Sequence, residues 1–328
     1  MTVYVDNAAT TKLSDTAFKA MAPFMQEIYG NPSSLHHIGQ QAKEYLEDAR
    51  ERVANCLGAH PSEIYFTSGG SEADNQAILT AAYNGEKKGK KHIISSKFEH
   101  HAVLHTLDKL KREGFEITLL DVYEDGIVRV EDLKNAIRED TALVTIMTAN
   151  NEVGTIQPIS ELGEVCKEKG VIFHTDAVQA VGHIPVNVKE MNVDMLSVSA
   201  HKFHGPKGIG VLYCRKGIVL QNLINGGAQE RNKRAGTENL PAIVGMAAAM
   251  EEAVSNLDTN AKNISALRDK LINGVKDIEI MRVNGNLEKH LPGTVNMCFE
   301  GIEGESLLLL LDQRVYVLHP VLPAQAVR

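Results

Sequence analysis

The chain is short of cysteine: only Cys56, Cys166, Cys214 and Cys298 occur in 328 residues. None falls in a CxxC pair or a repeated spacing, which argues against a disulfide framework and against a Cys-based metal site. Cys56 and Cys166 lie in helical patterns, Cys214 and Cys298 in strand-like runs. All four are expected to be small, inert core residues. Long apolar runs are missing too. The longest aliphatic stretch, 307–311, is far too short to span a bilayer, and no signal peptide opens the sequence, so a cytoplasmic location is expected. Positive charge is in deficit: the net charge is −8, which speaks against general affinity for nucleic acid or anionic membrane. No Walker motif, GxGxxG element, HExxH pair or Cys/His metal spacing appears, and the adjacent pairs His36-His37 and His100-His101 are poorly placed to share one ion. No metal is expected.

What is present is a regular alternation. Short apolar runs at 63–67, 92–95, 116–120, 143–147, 171–174, 195–199 and 210–214 read as strands. Between them lie helical segments at 71–83, 101–112, 130–138 and 159–169. That pattern predicts an α/β fold with a mostly parallel sheet covered on both faces. Two longer helices come next, at about 241–257 and 260–275. The second carries Ile264, Leu267, Leu271 and Val275 on one stripe, which predicts one buried face. Runs at 278–282 and 294–299 read as strands of a smaller unit. The division expected is an N-terminal arm at 1–15, a large unit at 16–257 and an incomplete small α+β unit at 258–328.

Several polar motifs fall where predicted strands end, the edge at which open α/β sheets bind ligands. In SAHKFHGPKG a strand runs into a glycine-rich turn that presents Lys202, and a lysine whose charge is suppressed there can bond an aldehyde cofactor. Taken alone, Lys202 is a surface lysine in a turn. Asp176, in HTDAVQA, can pair with a protonated pyridine nitrogen, or simply cap a helix. Gln179, one helical turn on, can donate to a ring oxygen. The segment TSGGSE brings small residues to a helix start, which suits either a phosphate or a capping box between Ser71 and Asp74. His100 heads a helix and can lie flat on an aromatic ring. Asn150-Asn151-Glu152 offers an amide to a ring oxygen or a substrate carboxylate. Gly226-Gly227 and the run Arg234-Ala235-Gly236-Thr237 form a polar loop that can close over phosphate.

Taken in order, these motifs resemble cysteine desulfurases of the NifS/IscS type, in the class V aminotransferase family. The residues that carry the likeness are DNAATT at 6–11, GNPSSLH at 30–36, TSGGSEADN at 67–75, EHHAV at 99–103, ANNEVG at 149–154, HTDAVQA at 174–180, SAHKFHGPKGIG at 199–210 and RAGTEN at 234–239. The resemblance runs from Val3 to Asp312. It implies the fold type I architecture of pyridoxal 5′-phosphate transferases and a homodimer. The implied reaction converts L-cysteine to L-alanine and leaves a persulfide for an iron–sulfur scaffold or another sulfur acceptor. By position it implies Lys202 as the Schiff-base lysine and His100 as the ring-stacking histidine. Asp176 becomes the pyridinium partner and Gln179 the donor to the ring hydroxyl. Gly70, Ser71, Ser199 and His201 become phosphate ligands, with Thr237 a phosphate ligand reaching across the dimer. Asn151 becomes a contact to cofactor and substrate, and Asn7 a second substrate contact.

The likeness stops after Asp312. The family's cysteine loop, reading roughly SSGSAC, and its carboxylate-binding arginine have no counterpart in 313–328. Codons for that tail can be chosen that, one base out of frame, encode AGICASSGSACTSGS, placing the cysteine over Ala324. The expectation is a frameshift after Asp312, loss of the persulfide step, and a displaced apolar tail at Val315, Tyr316, Val317, Leu318, Val321 and Leu322. Two other readings remain. One is an aminotransferase or cysteine β-lyase reaction that needs no protein thiol. The other is a cofactor-binding pseudoenzyme that docks an iron–sulfur scaffold.

Overall fold

The computed structural model describes residues 3–314, 316 and 317. A short strand β1 (Val3–Tyr4) leads to helices α1 (Asp15–Gln26) and α2 (His37–Leu57). Ser14 starts α1 by accepting from the Ala17 N–H at 3.0 Å, and Gly58, at φ +68°, ends α2 in the left-handed conformation glycine favours. Strand and helix then alternate through β2 (Ile64–Thr67), α3 (Gly70–Glu86), β3 (His92–Ser96), α4 (His101–Arg112), β4 (Glu116–Leu120), α5 (Val130–Ala136), β5 (Thr141–Thr145) and α6 (Ile159–Lys169). The sheet is completed by β6 (Ile172–Asp176), β7 (Met195–Ser199) and β8 (Gly210–Cys214).

The seven strands lie in the order β2-β8-β7-β6-β5-β3-β4. β8 is antiparallel to both neighbours and the remaining pairs are parallel. Every residue of β3, β5, β7 and β8 is buried, as expected of strands covered on both faces. One layer of core sets α2, α6 and the helix Leu240–Ser255 against one face, and the other sets α3 and α4 against the opposite face. The carboxyl ends of β2, β3, β5, β6 and β7 therefore share one edge, and β3 and β5 diverge there in connectivity, the place where doubly wound sheets open a crevice.

Strand β5 begins two residues before the predicted run, and β6 extends to Asp176 itself. The helix predicted from 260 begins at Leu257. Its apolar stripe is not buried: Leu267 is 66% and Leu271 50% exposed, Ile264 is 39% exposed beside Gly293, and no residue of the helix is buried among the described residues. Periodicity showed which face seeks a partner, but neither the antiparallel pair β9 (Met281–Val283) and β10 (Met297–Phe299) nor the helix Gly304–Asp312 covers it. Cys298 departs from expectation for a related reason. It is the outward residue of the three-residue strand β10 and is exposed, whereas Cys166 and Cys214 are buried and Cys56 half-buried. Two residues of the apolar tail find a partner: β11 (Tyr316–Val317) pairs in parallel with β1. Val315, Leu318, Val321, Leu322 and Ala324 lie outside the described residues.

Candidate active site

Turns at the carboxyl ends of the strands assemble the site. β7 ends at Ser199 and enters the tight turn Ala200–Lys202. The side chain of Lys202 reaches the chain's first segment, donating to the carbonyls of Ala8 and, at 2.9 Å, Ala9. That segment is clasped to the lysine turn. The backbone N–H and hydroxyl of Thr11 donate to the His201 carbonyl at 2.9 and 2.8 Å, and the Thr11 hydroxyl accepts from the His204 N–H at 2.8 Å. His183 Nε2 bonds the Lys202 carbonyl at 3.0 Å. Burial lowers the affinity of the Lys202 amine for its proton, opposed by the charges of Asp176 and Asp6. A lysine held this way has a larger share of the nucleophilic free base than one in water.

β6 ends on Asp176, which is buried; its Oδ1 accepts from the Val178 N–H at 2.9 Å. Gln179 lies in a run of turns rather than a helix, and its amide donates to the Ala8 carbonyl at 3.0 Å. β3 is followed by His100, which caps α4 by accepting from the Ala102 N–H at 3.1 Å. His100 is exposed, yet surrounding protein lowers its pKa by desolvation, against the pull of Asp176. β5 leads to Asn150, whose side chain is spent on the loop, donating to Phe98 O and accepting from the N–H groups of Glu152 and Val153. Asn151 is half-buried in the same turn, and Asn7 is exposed in the N-terminal segment.

Between β2 and α3 the chain forms the wall of a cleft of about 410 Å³, lined by Thr10, Ser68 to Glu72, Ser199, His201, Lys207 and Gly208. The capping-box alternative does not hold. The helix starts one residue earlier, at Gly70, with Gly69 at the cap and no side chain satisfying it, while Asp74 is turned into the interior at 1% exposure. An uncapped helix start at a cleft is suited to an anion. Gly70 cannot be replaced cheaply, since a Cβ there would stand 2.6 Å from Val178 Cγ2. His201 bonds Thr10 Oγ1 at 3.0 Å, and burial with the neighbouring lysines pushes its pKa down to about 4.

Thr237 is exposed and does not line this cleft, but the loop that carries it is tied to the cleft wall. Arg234 binds the Glu72 carboxylate at 2.9 and 3.2 Å. Although desolvation opposes it, the bonds from Arg234 and Ser68 hold Glu72 below its usual pKa. Sequence reasoning missed Glu72 and Arg234 as a pair, and missed the buried polar residues Asp74, Glu99 and His174 beneath Asp176. A signal was available for His174 alone, which ends the apolar run 171–173, where a polar residue needs a partner; the others lie in polar segments.

The comparisons with known proteins agree with this geometry. Residues 3–318 match the family model of class-V aminotransferases. The fold and cleft thus define a class-V aminotransferase. Within that class the chain is 53% identical over 313 residues to the cysteine desulfurase IscS of Clostridium botulinum (strain Hall), covering 94% of this chain and 79% of that one. It is 52% identical to the cysteine desulfurase IscS of Methanosarcina thermophila, covering 95% and 77%. Among solved structures, a NifS-like protein matches with a TM-score of 0.94 and 45% identity over 97% of this chain and 87% of that one. SspA in complex with cysteine matches at 0.84 and 37%, covering 96% and 88%. The chain belongs to the IscS/NifS family of cysteine desulfurases.

Proposed function

We propose that the cleft holds pyridoxal 5′-phosphate and admits L-cysteine. The observation that carries this is the meeting, at one sheet edge, of a dehydrated lysine amine with a buried carboxylate beside an uncapped helix start. The residues present fit the group. The wall beside the uncapped start of α3 is open at Gly70, where a Cβ would clash with Val178, and Ser68 to Glu72, Ser199 and His201 line it. When bound, the cofactor supplies an aldehyde joined to an electron-accepting pyridine ring. Lys202 holds that aldehyde covalently and moves the substrate α-proton. Asp176 would keep the ring nitrogen protonated, Gln179 would donate to the ring oxygen, and His100 would offer its imidazole to the ring face. Gly70, Ser71, Ser199 and His201 receive the phosphate, with Thr237 supplied by a second copy. Asn151 and Asn7 bind substrate. We propose that 16–257 is the cofactor-holding unit, preceded by an arm at 1–15 and followed from 258 by an incomplete smaller unit, described only at 258–314, 316 and 317.

A homodimer is supported by exposed apolar side chains on and after α1, with Phe18 62%, Met25 65%, Tyr29 74% and Leu35 94% exposed. Among the described residues no helix is long and apolar enough to cross a membrane. We propose a cytoplasmic site of action, with an iron–sulfur scaffold or other sulfur acceptor as partner.

The placement of the cysteines favours a qualified form of this reading. Burial pushes Cys56 up to about 11 and Cys166 and Cys214 to about 12, so none is a thiolate at neutral pH. Cys298 is held on β10 opposite Arg282. We propose that this chain binds cofactor and substrate but does not run the persulfide step, which leaves a thiol-independent cysteine β-lyase reaction open to it. With L-cysteine and dithiothreitol, alanine should stay at background. Pyruvate and sulfide in equal amounts would mark the lyase route, and robust alanine formation would defeat the claim.

A further inference from the structure

Asp176 is not a solitary buried acid. Asp74, in the first turns of α3, presents a carboxyl oxygen that lies with an Asp176 oxygen and a His100 ring nitrogen within 4.8 Å of one another. Asp74 is 1% and Asp176 5% exposed. The charged and titratable groups that face the pair are few. His174 Nε2 stands 3.6 Å from Asp74 Oδ1, but its ring is bonded by Thr145 Oγ1 at 2.8 Å and Ser197 Oγ at 2.9 Å, and burial lowers its pKa to about 3. It is therefore neutral and offers no charge to Asp74. Glu99, from the end of β3, is occupied elsewhere: both oxygens accept from the Met147 N–H at 3.0 Å, and one bonds the Ser96 hydroxyl at 2.6 Å. Its own pKa is pushed by burial to about 8. A ring nitrogen of His100 lies within 4.8 Å of both carboxyls, but burial lowers the pKa of that ring, and the charge of Lys202 acts on Asp176.

Two ionised carboxylates so close, with no cation beside one of them and little water, are incompatible. Burial first, then the charge of Asp176, raises Asp74 well above its ordinary pKa, outweighing a hydrogen bond from Ser197 that favours the anion. Asp176 is raised by burial as well, but the Val178 N–H, His100, a hydrogen bond from Asp74 and Lys202 all favour its anion. The Oδ1 of Asp74, unpartnered among the described residues, has the same explanation, because leaving the carbonyl oxygen of a neutral acid unbonded costs much less than leaving a carboxylate oxygen so.

We propose that Asp74 is the proton-carrying member of a two-carboxyl pair whose single negative charge rests on Asp176, and so is a positioning residue for the ring nitrogen of the cofactor. The inference rests on the reading of Asp176 given above. Asp74 donates its acid proton to one side of the Asp176 carboxylate and leaves the other side for the ring. It also keeps a second negative charge out of the site. No covalent step is involved, and the pair holds one proton throughout.

Infrared spectroscopy of the cofactor-free protein tests the proton directly, apart from any reading of the site. At neutral pH the protonated-carboxyl carbonyl band should lose one component in Asp74→Asn and keep that component in Glu99→Gln. If Asp74→Asn leaves the band unchanged, Asp74 is ionised and the proposal fails. Equilibrium dialysis with pyridoxal phosphate tests the positioning. Asp74→Asn retains a donor to Asp176 and should bind within a few-fold of wild type, while Asp74→Leu, with no donor, should bind on the order of tenfold or more weakly. Equal affinity in Asp74→Leu and Asp74→Asn would overturn the positioning role, provided circular dichroism shows both folded. Should Asp74→Leu not fold, a tenfold loss in Asp74→Asn alone would overturn it. Failure of wild type to bind the cofactor would sink the proposed function instead and leave the infrared result standing.

Discussion

Arg50 and Glu230 form a two-pronged ion pair inside the protein, Nη1 to Oε2 at 2.8 Å and Nη2 to Oε1 at 2.9 Å, with both side chains 3% exposed. Glu230 also accepts from the Phe66 N–H at 2.9 Å, and the Arg50 guanidinium lies 4.7 Å from the Phe66 ring centre. The pair ties α2 and β2 to the loop that carries Arg234 and Thr237. Glu230, Arg231 and Asn232 all have positive φ, from +46° to +63°, a conformation non-glycine residues hold only under constraint. The buried pair supplies the constraint.

Replacing Arg50 with Met leaves the Glu230 carboxylate buried without its cation and should cost about 3–5 kcal/mol of stability. The paired change Arg50→Met with Glu230→Met should cost less than Arg50→Met alone. Denaturant unfolding of the three proteins reads this, and a double variant less stable than both singles would show that the pair is not the source of the cost.

Purified protein supplied with pyridoxal phosphate should absorb in the visible range, and borohydride should abolish that band while fixing the cofactor to Lys202. Peptide mass mapping locates the adduct. Lys202→Ala should be colourless, and a reducible band surviving in it would reassign the lysine.

Asp176→Asn should keep the cofactor but exchange the α-proton of an amino acid substrate more slowly, by about a hundredfold or more, because an amide cannot hold the ring nitrogen protonated. Deuterium exchange followed by NMR gives the rate. Exchange at the wild-type rate would remove Asp176 from this role.

His174 should make the protein acid-sensitive. Its folded pKa, about 3, lies below the ordinary 6.5, so the unfolded chain takes up the proton first. Stability from this group is complete above about pH 6.5 and falls by about 1.4 kcal/mol per pH unit as pH drops toward 3. His174→Asn should flatten that part of the stability profile of the cofactor-free protein. An unchanged slope between wild type and variant would show that His174 is not its origin.

Much of this was legible in the sequence because strands that are buried on both faces are nearly continuous apolar runs: β7 and β8 fall where the runs predict. Lys202, Asp176 and Ser71 stood out because each comes just after such a run. Asp74 did not, since Ser71 followed by an acid three residues on also fits a helix cap, and only burial separates the two meanings. The helix 257–275 and Cys298 misled in the opposite way. Periodicity and strand propensity give the direction of a side chain within its element, and nothing about whether another element lies across from it.

The clasp of Thr11 on the His201 carbonyl joins residues 190 positions apart. The lysine turn therefore cannot be closed during synthesis until more than half the chain has emerged, and contacts so distant in sequence form late. The early segment 6–12 lacks its partners on the lysine turn until then. Colour should thus appear only after the last folding step, which makes cofactor uptake a clock for the completed fold rather than a nucleus for it. An N-terminal fusion or a clipped first dozen residues would stop that clock while leaving the seven-stranded sheet intact.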